Sequence, residues 1–230
     1  MRHGAVRPSR PAAPRPARPA PSATTPRATY RHGDLRRALL DAGLELARQG
    51  GPDAVVLREA TRRAGVAPNA AYRHFASRQH LLDAVRSAAV AAMAVFMEEE
   101  LARVPAHAPA TERAYGKVRA VGRGYLRFAQ AETGLFRMAF GQPFTVESEP
   151  DPDKGGASGL NPFEHLGAAL DDLVAAGALP AERRPGAEYL AWSTVHGMAF
   201  LAIDGPLRSA PEALREVLAQ RLLDMVERGL

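Results

Sequence analysis

LREATRRAGVAPNAAYRHFASRQHLL, residues 57–82, is the most specific structural pattern in this chain of 230 residues. A short helix is predicted to end at Ala64, because Gly65 follows where a chain leaving a helix needs a positive φ. Pro68 suits the first position of a second helix, where its missing N–H costs nothing. Ser77 is predicted to cap a third helix. Two helices joined by a tight glycine turn form a helix-turn-helix, here at about 56–75, whose second helix fits the major groove of double-stranded DNA.

The small, aromatic and basic residues of this stretch also stand in a recognisable order. They are Gly65-Val66-Ala67, Tyr72-Arg73-His74-Phe75, Arg78 and Leu81-Leu82. From about Tyr30 to Met93 the chain resembles the DNA-binding part of TetR-family transcriptional regulators. It departs from the family pattern where Ser, Thr or a larger apolar residue is usual, at Val55, Val56, Ala67 and Ala71. Each missing helix cap is expected to cost about 1 kcal/mol of stability.

The resemblance implies which side chains face the DNA backbone. Tyr72, His74 and Arg78 match family positions that contact phosphates, and a phenol, an imidazole and a guanidinium all donate to phosphate oxygens. The alternative for Tyr72 and His74 is partial packing against Phe75, which is assigned to the core.

Base edges are expected to be reached from the second helix. Asn69 can pair with adenine, and Ala70 offers an apolar contact for a thymine methyl. Arg58, in the preceding helix, is predicted to reach a phosphate or a guanine. Arg62 and Arg63 are open between a DNA contact and a solvated face.

Charge is distributed unevenly along the chain. Residues 1–31 carry seven arginines and no acidic residue, whereas residues 81–230 carry 15 basic and 20 acidic residues. A basic end beside an acidic body fits a protein that binds a polyanion at one end. The Pro- and Arg-rich segment 1–31 is predicted to be a disordered arm, either without function or contacting phosphates or a minor groove.

Several classes of protein are disfavoured by composition and motifs. The chain has no cysteine, which excludes disulfides and thiolate metal sites, and we expect no metal and no cofactor. It has no continuous apolar run of about 20 residues and no secretory signal, so a cytoplasmic protein without a membrane partner is expected. The motifs G-x-S-x-G and H-E-x-x-H are missing, so we expect no enzyme.

Helical periodicity dominates the rest of the chain and predicts an all-α fold with about nine helices. The first helix is expected from the N-cap Asp34 to Gly50-Gly51-Pro52. The others beyond the helix-turn-helix are expected at about 77–104, 111–131, 135–140, 161–177, 184–203 and 210–228, with one long loop at 141–160. The predicted organisation is the arm 1–31, a DNA-binding domain 32–92, and a ligand-binding and dimerisation domain 93–230.

The C-terminal half carries a second resemblance. AWSTVHGMAFLAIDG, with Trp192, His196 and Gly197, is similar to a TetR subgroup named for those three residues, and LRFAQAETGLFRMAFG resembles its matching segment. The resemblance implies a cavity for a small apolar effector. Its candidate lining is the aromatic and methionine-rich set of Met93, Phe96, Tyr125, Phe128, Phe136, Met138, Phe163, Trp192, His196 and Phe200. Each of these is alternatively plain core, and His196 a satisfied core histidine.

An apolar stripe on the last helix is the candidate dimer interface. It consists of Leu214, Val217, Leu218, Leu222 and Met225. Members of the family dimerise through their last two helices, so the resemblance implies a homodimer on a palindromic DNA operator, acting as a repressor that the effector releases. The stripe could instead bury within its own domain. The alternative function is a constitutive or architectural DNA-binding protein, although the large acidic C-terminal part argues against purely non-specific binding.

Overall fold

A computed structural model describes residues 32–141 and 151–230. The predicted arm 1–31 therefore lies outside the described residues, and so does part of the predicted loop 141–160. Within the described ranges the fold is all-α, with nine α-helices, two short 3₁₀ helices and no strand, which confirms the predicted fold class.

The α-helices are spaced much as the periodicity predicts. They are α1 His32–Ala54, α2 Leu57–Arg63, α3 Pro68–Ala71, α4 Arg78–Leu101, α5 Ala110–Ala131, α6 Thr133–Phe140, α7 Pro162–Ala175, α8 Ala187–Ile203 and α9 Glu212–Gly229. The 3₁₀ helices are Pro152–Lys154 and Ala181–Arg183.

Helix α1 differs from the prediction at its start and agrees at its break. It begins at His32, before Asp34, the predicted cap. Near its end the backbone leaves helical geometry at Gly50 (φ −152°) and Gly51 (φ 65°, ψ −157°). Pro52 then opens one further helical turn, so the glycine pair acts as the predicted stop.

The helix-turn-helix has the predicted turn and two weakly capped helices. Gly65 adopts φ 68°, the left-handed conformation that favours glycine. Val56 and Ala67, which precede α2 and α3, make no side-chain cap hydrogen bond. Ser77 does cap α4, since its Oγ accepts from the backbone N–H of His80 at 3.2 Å. Packing of buried side chains such as Phe75 therefore has to hold α3 in place.

Helix α4 is the central element of the molecule. It packs against α1, α5, α6 and α7, and its pairing with α5 is the most extensive in the fold. A Cβ at Gly124 of α5 would lie 2.5 Å from Cα of Met97, so the glycine is what lets the two helices approach this closely. Among the described residues, α4 alone is long and apolar enough to cross a membrane, but many of its apolar side chains, such as Leu81, Val85 and Met93, are buried in the protein core.

The end of α1 docks on α6 through backbone contact. A Cβ at Gly134 would lie 2.2 Å from the carbonyl oxygen of Ala47 and 2.4 Å from that of Arg48. The guanidinium of Arg48 also donates to the carboxylate of Glu132 at 3.0 Å. The described residues from 32 to 230 pack as one unit, and the predicted domain boundary at residues 92–93 falls inside the continuous helix α4.

Candidate functional site

The exposed surface of the helix-turn-helix is small and carries few side chains. Asn69, Tyr72 and Arg73 are exposed, Ala70 and His74 are half-buried, and Tyr72 exposes 57% of its surface. Since α3 has only four residues, these side chains come from a single helical turn and the turn that follows it. Four of the six predicted DNA contacts, Asn69, Ala70, Tyr72 and His74, therefore lie close together in the chain and are at least partly exposed, as is Arg73, which the prediction omitted.

The three arginines of α2 differ in whether a carboxylate of the protein already pairs with their charge. Arg62 forms two hydrogen bonds with the carboxylate of Glu59, at 2.6 and 2.8 Å, and Arg63 forms one at 3.2 Å. The hydrogen bonds from Arg62, then Arg63, lower the pKa of Glu59 to about 2. The geometry favours a solvated face for Arg62 and Arg63. Arg58 is exposed and makes no side-chain hydrogen bond or ion pair among the described residues, which keeps it available for DNA.

Arg78 is engaged by the protein itself. Its Nε donates to the carbonyl oxygen of Val55 at 2.8 Å, and its Nη2 donates to that of Pro52 at 3.0 Å. These carbonyls lie at the end of α1 and in the link to α2. These two bonds position the α1–α2 link against the start of α4. They use two of the five N–H donors of the guanidinium, so the phosphate contact of Arg78 stays a prediction for the remaining donors.

A cavity of about 670 Å³ lies between α4, α5, α7, α8 and α9. Four of the predicted ligand contacts line it: Met93, Tyr125, Phe163 and Trp192. Its volume is within the usual range of small-molecule sites, about 300–1,000 Å³.

Five of the other candidates pack behind the cavity wall rather than lining it. Phe96 and Phe128 form an edge-to-face pair with ring centroids 5.5 Å apart. Phe136 packs against His196 at 5.7 Å, and Met138 is fully buried. Phe128, Phe136 and Met138 are buried, which favours the alternative of plain core for these three, whereas Phe96 and His196 are half-buried.

Phe200 was predicted to line the cavity, and this prediction is wrong. It lies on the outer side of α8 with 55% of its surface exposed, and it is absent from the cavity lining. Helix α8 has apolar side chains on all of its faces, so its sequence pattern does not distinguish the side that faces the cavity from the outer side.

The cavity also includes residues that the prediction missed. The larger apolar ones are Val90, Met97, Val118, Val121, Phe140, Leu166, Val195, Leu223 and Val226. On α4 the lining residues Arg86, Val90, Met93 and Met97 follow the spacing of one helical face. That spacing was visible in the sequence and would have identified the α4 wall.

A hydrogen-bonded chain of three side chains stands at one wall. Trp192 Nε1 donates to the hydroxyl oxygen of Tyr125 at 3.3 Å, and that hydroxyl lies 2.7 Å from Nδ1 of His196. Burial raises the pKa of Tyr125 and lowers the pKa of His196, so both are neutral at pH 7. In the Nε2–H tautomer of the neutral imidazole, the Tyr125 hydroxyl donates to Nδ1 of His196, which lies behind the wall.

The loop before α7 is fastened to α4 by one carboxylate. Glu98 accepts from the backbone N–H groups of Ala157 (3.0 Å) and Ser158 (2.9 Å) and from the Ser158 hydroxyl (2.6 Å). Burial alone would raise the pKa of Glu98, but these hydrogen bonds outweigh burial and keep it below its usual value. The loop leads into α7, so Glu98 holds one edge of the cavity against α4.

An exposed apolar surface covers one side of α8 and α9. We call it the α8–α9 face, and it consists of Tyr189, Leu190, Phe200, Leu201, Leu214, Val217 and Met225. Three of the predicted dimer residues belong to it. The other two, Leu218 and Leu222, are partly buried against the core of their own chain, and their place in a dimer interface stays a prediction. A Cβ at Gly197 would meet nothing within 4 Å, so α8 offers open space at that position.

Comparison with protein families matches two parts of the chain. Residues 39–85 match the model described as "Bacterial regulatory proteins, tetR family", and residues 118–226 match "Tetracyclin repressor-like, C-terminal domain". Together the two models span more than half of the chain. The search of curated proteins found no match.

Solved structures share the fold over most of the chain. A protein of unknown function from Rhodococcus sp. RHA1 is 28% identical, with a TM-score of 0.64, covering 88% of this chain and 98% of that one. A TetR variant from Acinetobacter baumannii AYE in complex with minocycline is 19% identical, with a TM-score of 0.53 and coverage of 83% and 93%. The TetR-family regulator PfmR from Thermus thermophilus is 20% identical, with a TM-score of 0.51 and coverage of 84% and 98%.

Proposed function

The chain belongs to the TetR family of DNA-binding transcriptional regulators, which are not enzymes, and from that premise we propose that it is a homodimeric repressor released by a small effector. The observation that carries the proposal is the cavity of about 670 Å³, whose wall includes α4, the helix that begins directly after the helix-turn-helix. A constitutive or architectural DNA binder would have no use for such a cavity.

The division of labour along the chain is part of the proposal. Residues 32–92 bind DNA, residues 93–230 bind the effector and a second protomer, and the arm 1–31 adds positive charge. A recognition helix of four residues buries little surface, so a single protomer would bind weakly. Two-fold symmetry then requires a palindromic operator whose half-sites lie about 34–36 Å apart, or a multiple of that distance.

Phosphate contacts are proposed for Tyr72, Arg73, His74 and Arg78. Base contacts are proposed for Asn69 and Ala70, with Arg58 at the edge of the interface. Tyr72→Phe and Arg73→Gln should each weaken binding to operator and to random DNA by similar factors and lower the salt dependence, because phosphates carry no sequence information. Arg62→Gln is the matched control, since Glu59 already neutralises Arg62. Fluorescence anisotropy over a salt series measures both quantities.

The same titration can contradict the assignment. A variant of Tyr72 or Arg73 that loses operator binding but keeps its affinity for random DNA would assign that residue to base recognition. An Arg62→Gln variant that behaves like Arg73→Gln would show that ion pairing within α2 does not remove Arg62 from the interface.

Effector control is proposed to act through α4. A molecule in the cavity contacts α4 between Arg86 and Met97, and α4 packs directly on α1 of the DNA-binding part. The effector must bind the DNA-free arrangement more tightly, and the loss of operator affinity cannot exceed that difference. Minocycline bound to a protein of this fold supports a drug-sized effector.

A screen by thermal shift, followed by operator release, tests effector control. Compounds that raise the melting temperature should also lower operator affinity in fluorescence anisotropy. Met93→Trp, which fills the cavity from α4, should abolish the thermal shift. Operator binding that no stabilising compound changes would favour the constitutive alternative.

A further inference from the structure

The described part of the cavity wall contains one cation that the protein does not neutralise. Arg86 lies on α4, one turn before Val90, and its Nε is shielded from solvent without a hydrogen-bond partner among the described residues. A guanidinium stays protonated and has five N–H donors. A buried donor without an acceptor raises the free energy of the folded protein, and an acceptor on a bound molecule would remove that cost.

Other basic residues of the described lining already have carboxylate partners. Arg119 contacts Asp224 at 2.6 Å and Glu227 at 2.6 Å. The ammonium of Lys154 lies 3.7 Å from the carboxylate of Asp151. These pairs compensate their own charge within the wall, so neither basic residue calls for an anion from outside.

The acidic residues of the lining are engaged as well. Asp151 accepts from the hydroxyl of Ser87 at 2.7 Å, in addition to its contact with Lys154. Glu164 accepts from the backbone N–H of Asn161 at 2.7 Å and completes the cap of α7. Within the described lining, Arg86 is thus left as the basic side chain that lacks a carboxylate.

The rest of the wall is mainly apolar and aromatic, with Met93, Phe163 and Trp192 among its members. A carboxylate held by a guanidinium in such surroundings forms short, charge-assisted and often bidentate hydrogen bonds. One guanidinium pairs with one carboxylate, whereas a phosphate monoester would bring about 1.5 to 2 negative charges to a lining that already holds the carboxylates of Asp151, Glu164 and Glu227. Resting on the proposed effector control, we infer that the effector is an amphiphile with a single carboxylate and an apolar body, and that Arg86 binds the carboxylate.

The position of Arg86 couples binding of the effector to the DNA-binding part of the protein. Arg86 and the cap residue Ser77 belong to the same uninterrupted helix, which leads out of the helix-turn-helix. The acid group of the effector therefore acts on α4 itself, while its apolar body contacts α7 and α8.

Matched acids and amides test the inference, with Trp192 as the signal. Trp192 is the only tryptophan of the chain and lines the cavity, so intrinsic fluorescence reports binding there. The probes are decanoate against decanamide and phenylbutyrate against phenylbutyramide, which separate aliphatic from aromatic bodies. At least one acid should bind about tenfold or more tightly than its amide, because only the acid gains a charge-assisted pair.

Substitution of Arg86 should remove that preference. In Arg86→Gln the acid should bind no better than the amide, whose own affinity should stay within about twofold, and Arg86→Lys should retain part of the preference. Arg208→Gln, which removes the same charge outside the cavity lining, is the control. Circular dichroism checks that each variant is folded.

The possible results separate the inference from the proposed function. Equal binding of acid and amide by the native protein, an acid preference that survives in Arg86→Gln, or no fluorescence response to any probe would each overturn the inference. Operator release by an amide in any of these cases would leave effector control standing. An acid that binds through Arg86 but does not release the operator would uphold the binding site and contradict repression by effector release.

Discussion

The arginines of the DNA-binding part differ in whether their guanidinium groups already have hydrogen-bond acceptors within the protein. Arg62, Arg78 and Arg58 are all basic residues of the DNA-binding part. Arg62 pairs with Glu59, Arg78 donates to two backbone carbonyls, and only Arg58 makes no such side-chain contact among the described residues. Sequence spacing assigned DNA contacts by residue type and family position, and it could not show which guanidinium was already occupied.

Arg78→Ala should destabilise the protein rather than act only on DNA binding. Removing the guanidinium leaves the carbonyls of Pro52 and Val55 without their donors, at a cost of about 1–2 kcal/mol. Urea denaturation at a fixed protein concentration measures the free energy of unfolding. Gln79→Ala, at the next position, is the control and should change it by less than about 0.5 kcal/mol. An Arg78→Ala variant with native stability and reduced DNA binding would show that Arg78 acts on DNA and not on the stability of the fold.

His196 should give the protein a pH dependence near neutrality. Burial lowers its pKa in the folded state below the unfolded value of about 6.5. The unfolded chain therefore takes up the proton first as the pH falls. The stability contributed by neutral His196 is complete above about pH 6.5 and is lost on acidification through the folded-state pKa.

His196→Gln tests this dependence, because an amide can accept from Tyr125 without titrating. Between about pH 7.5 and about pH 5.5 the melting temperature should fall less in the variant than in the native protein. Equal losses in both proteins would assign the pH dependence to other groups.

Helices are the scale at which the sequence was most informative. Gly65, Pro68 and Ser77 specify local backbone geometry, so the turn and the start of α4 followed from residue type alone. The cavity did not follow in the same way. Leu190, Val195 and Phe200 of α8 are all apolar, yet they face the exterior, the cavity and the exterior again, and only packing against neighbouring helices distinguishes them.

The contact between α1 and α6 should be sensitive to one methyl group. Gly134→Ala would place a Cβ against the backbone of Ala47 and Arg48, which cannot move aside as a side chain could. The expected loss of unfolding free energy is about 1–3 kcal/mol, as for other overpacked sites. Operator affinity should fall as well, because α1 packs against α2 and α3, the two helices of the helix-turn-helix.

Gly116→Ala is the matched control for that substitution. Gly116 is also helical, but its Cβ would meet only the Val104 side chain, at 3.2 Å. It should be close to neutral, since alanine favours the helix by about 0.5–1 kcal/mol. Chemical denaturation and operator titration of both variants provide the comparison, and an unaffected Gly134→Ala protein would show that α6 can shift away from α1.

The assembled molecule is expected to depend on the α8–α9 face. Phe200→Glu combined with Met225→Glu places charges in this apolar surface and should convert the proposed dimer to monomers of 24.6 kDa, measured by light scattering. Operator binding should weaken strongly, because each protomer then binds a half-site alone. Val95→Glu, exposed on α4, is the control and should leave the mass unchanged. A double variant that keeps the mass of the control would place the interface elsewhere.

The continuity of α4 makes the number of its residues as important as their identity. One residue inserted between Ser77 and Arg86 would turn everything after it by about 100° about the helix axis. Val90 and Met93 would then rotate out of the cavity, although no residue of the wall had been replaced. An insertion of about seven residues would nearly restore the rotation but would displace the cavity from the DNA-binding end by about 10 Å. Deletions and insertions in this segment should therefore be far less tolerated than substitutions on its exposed side.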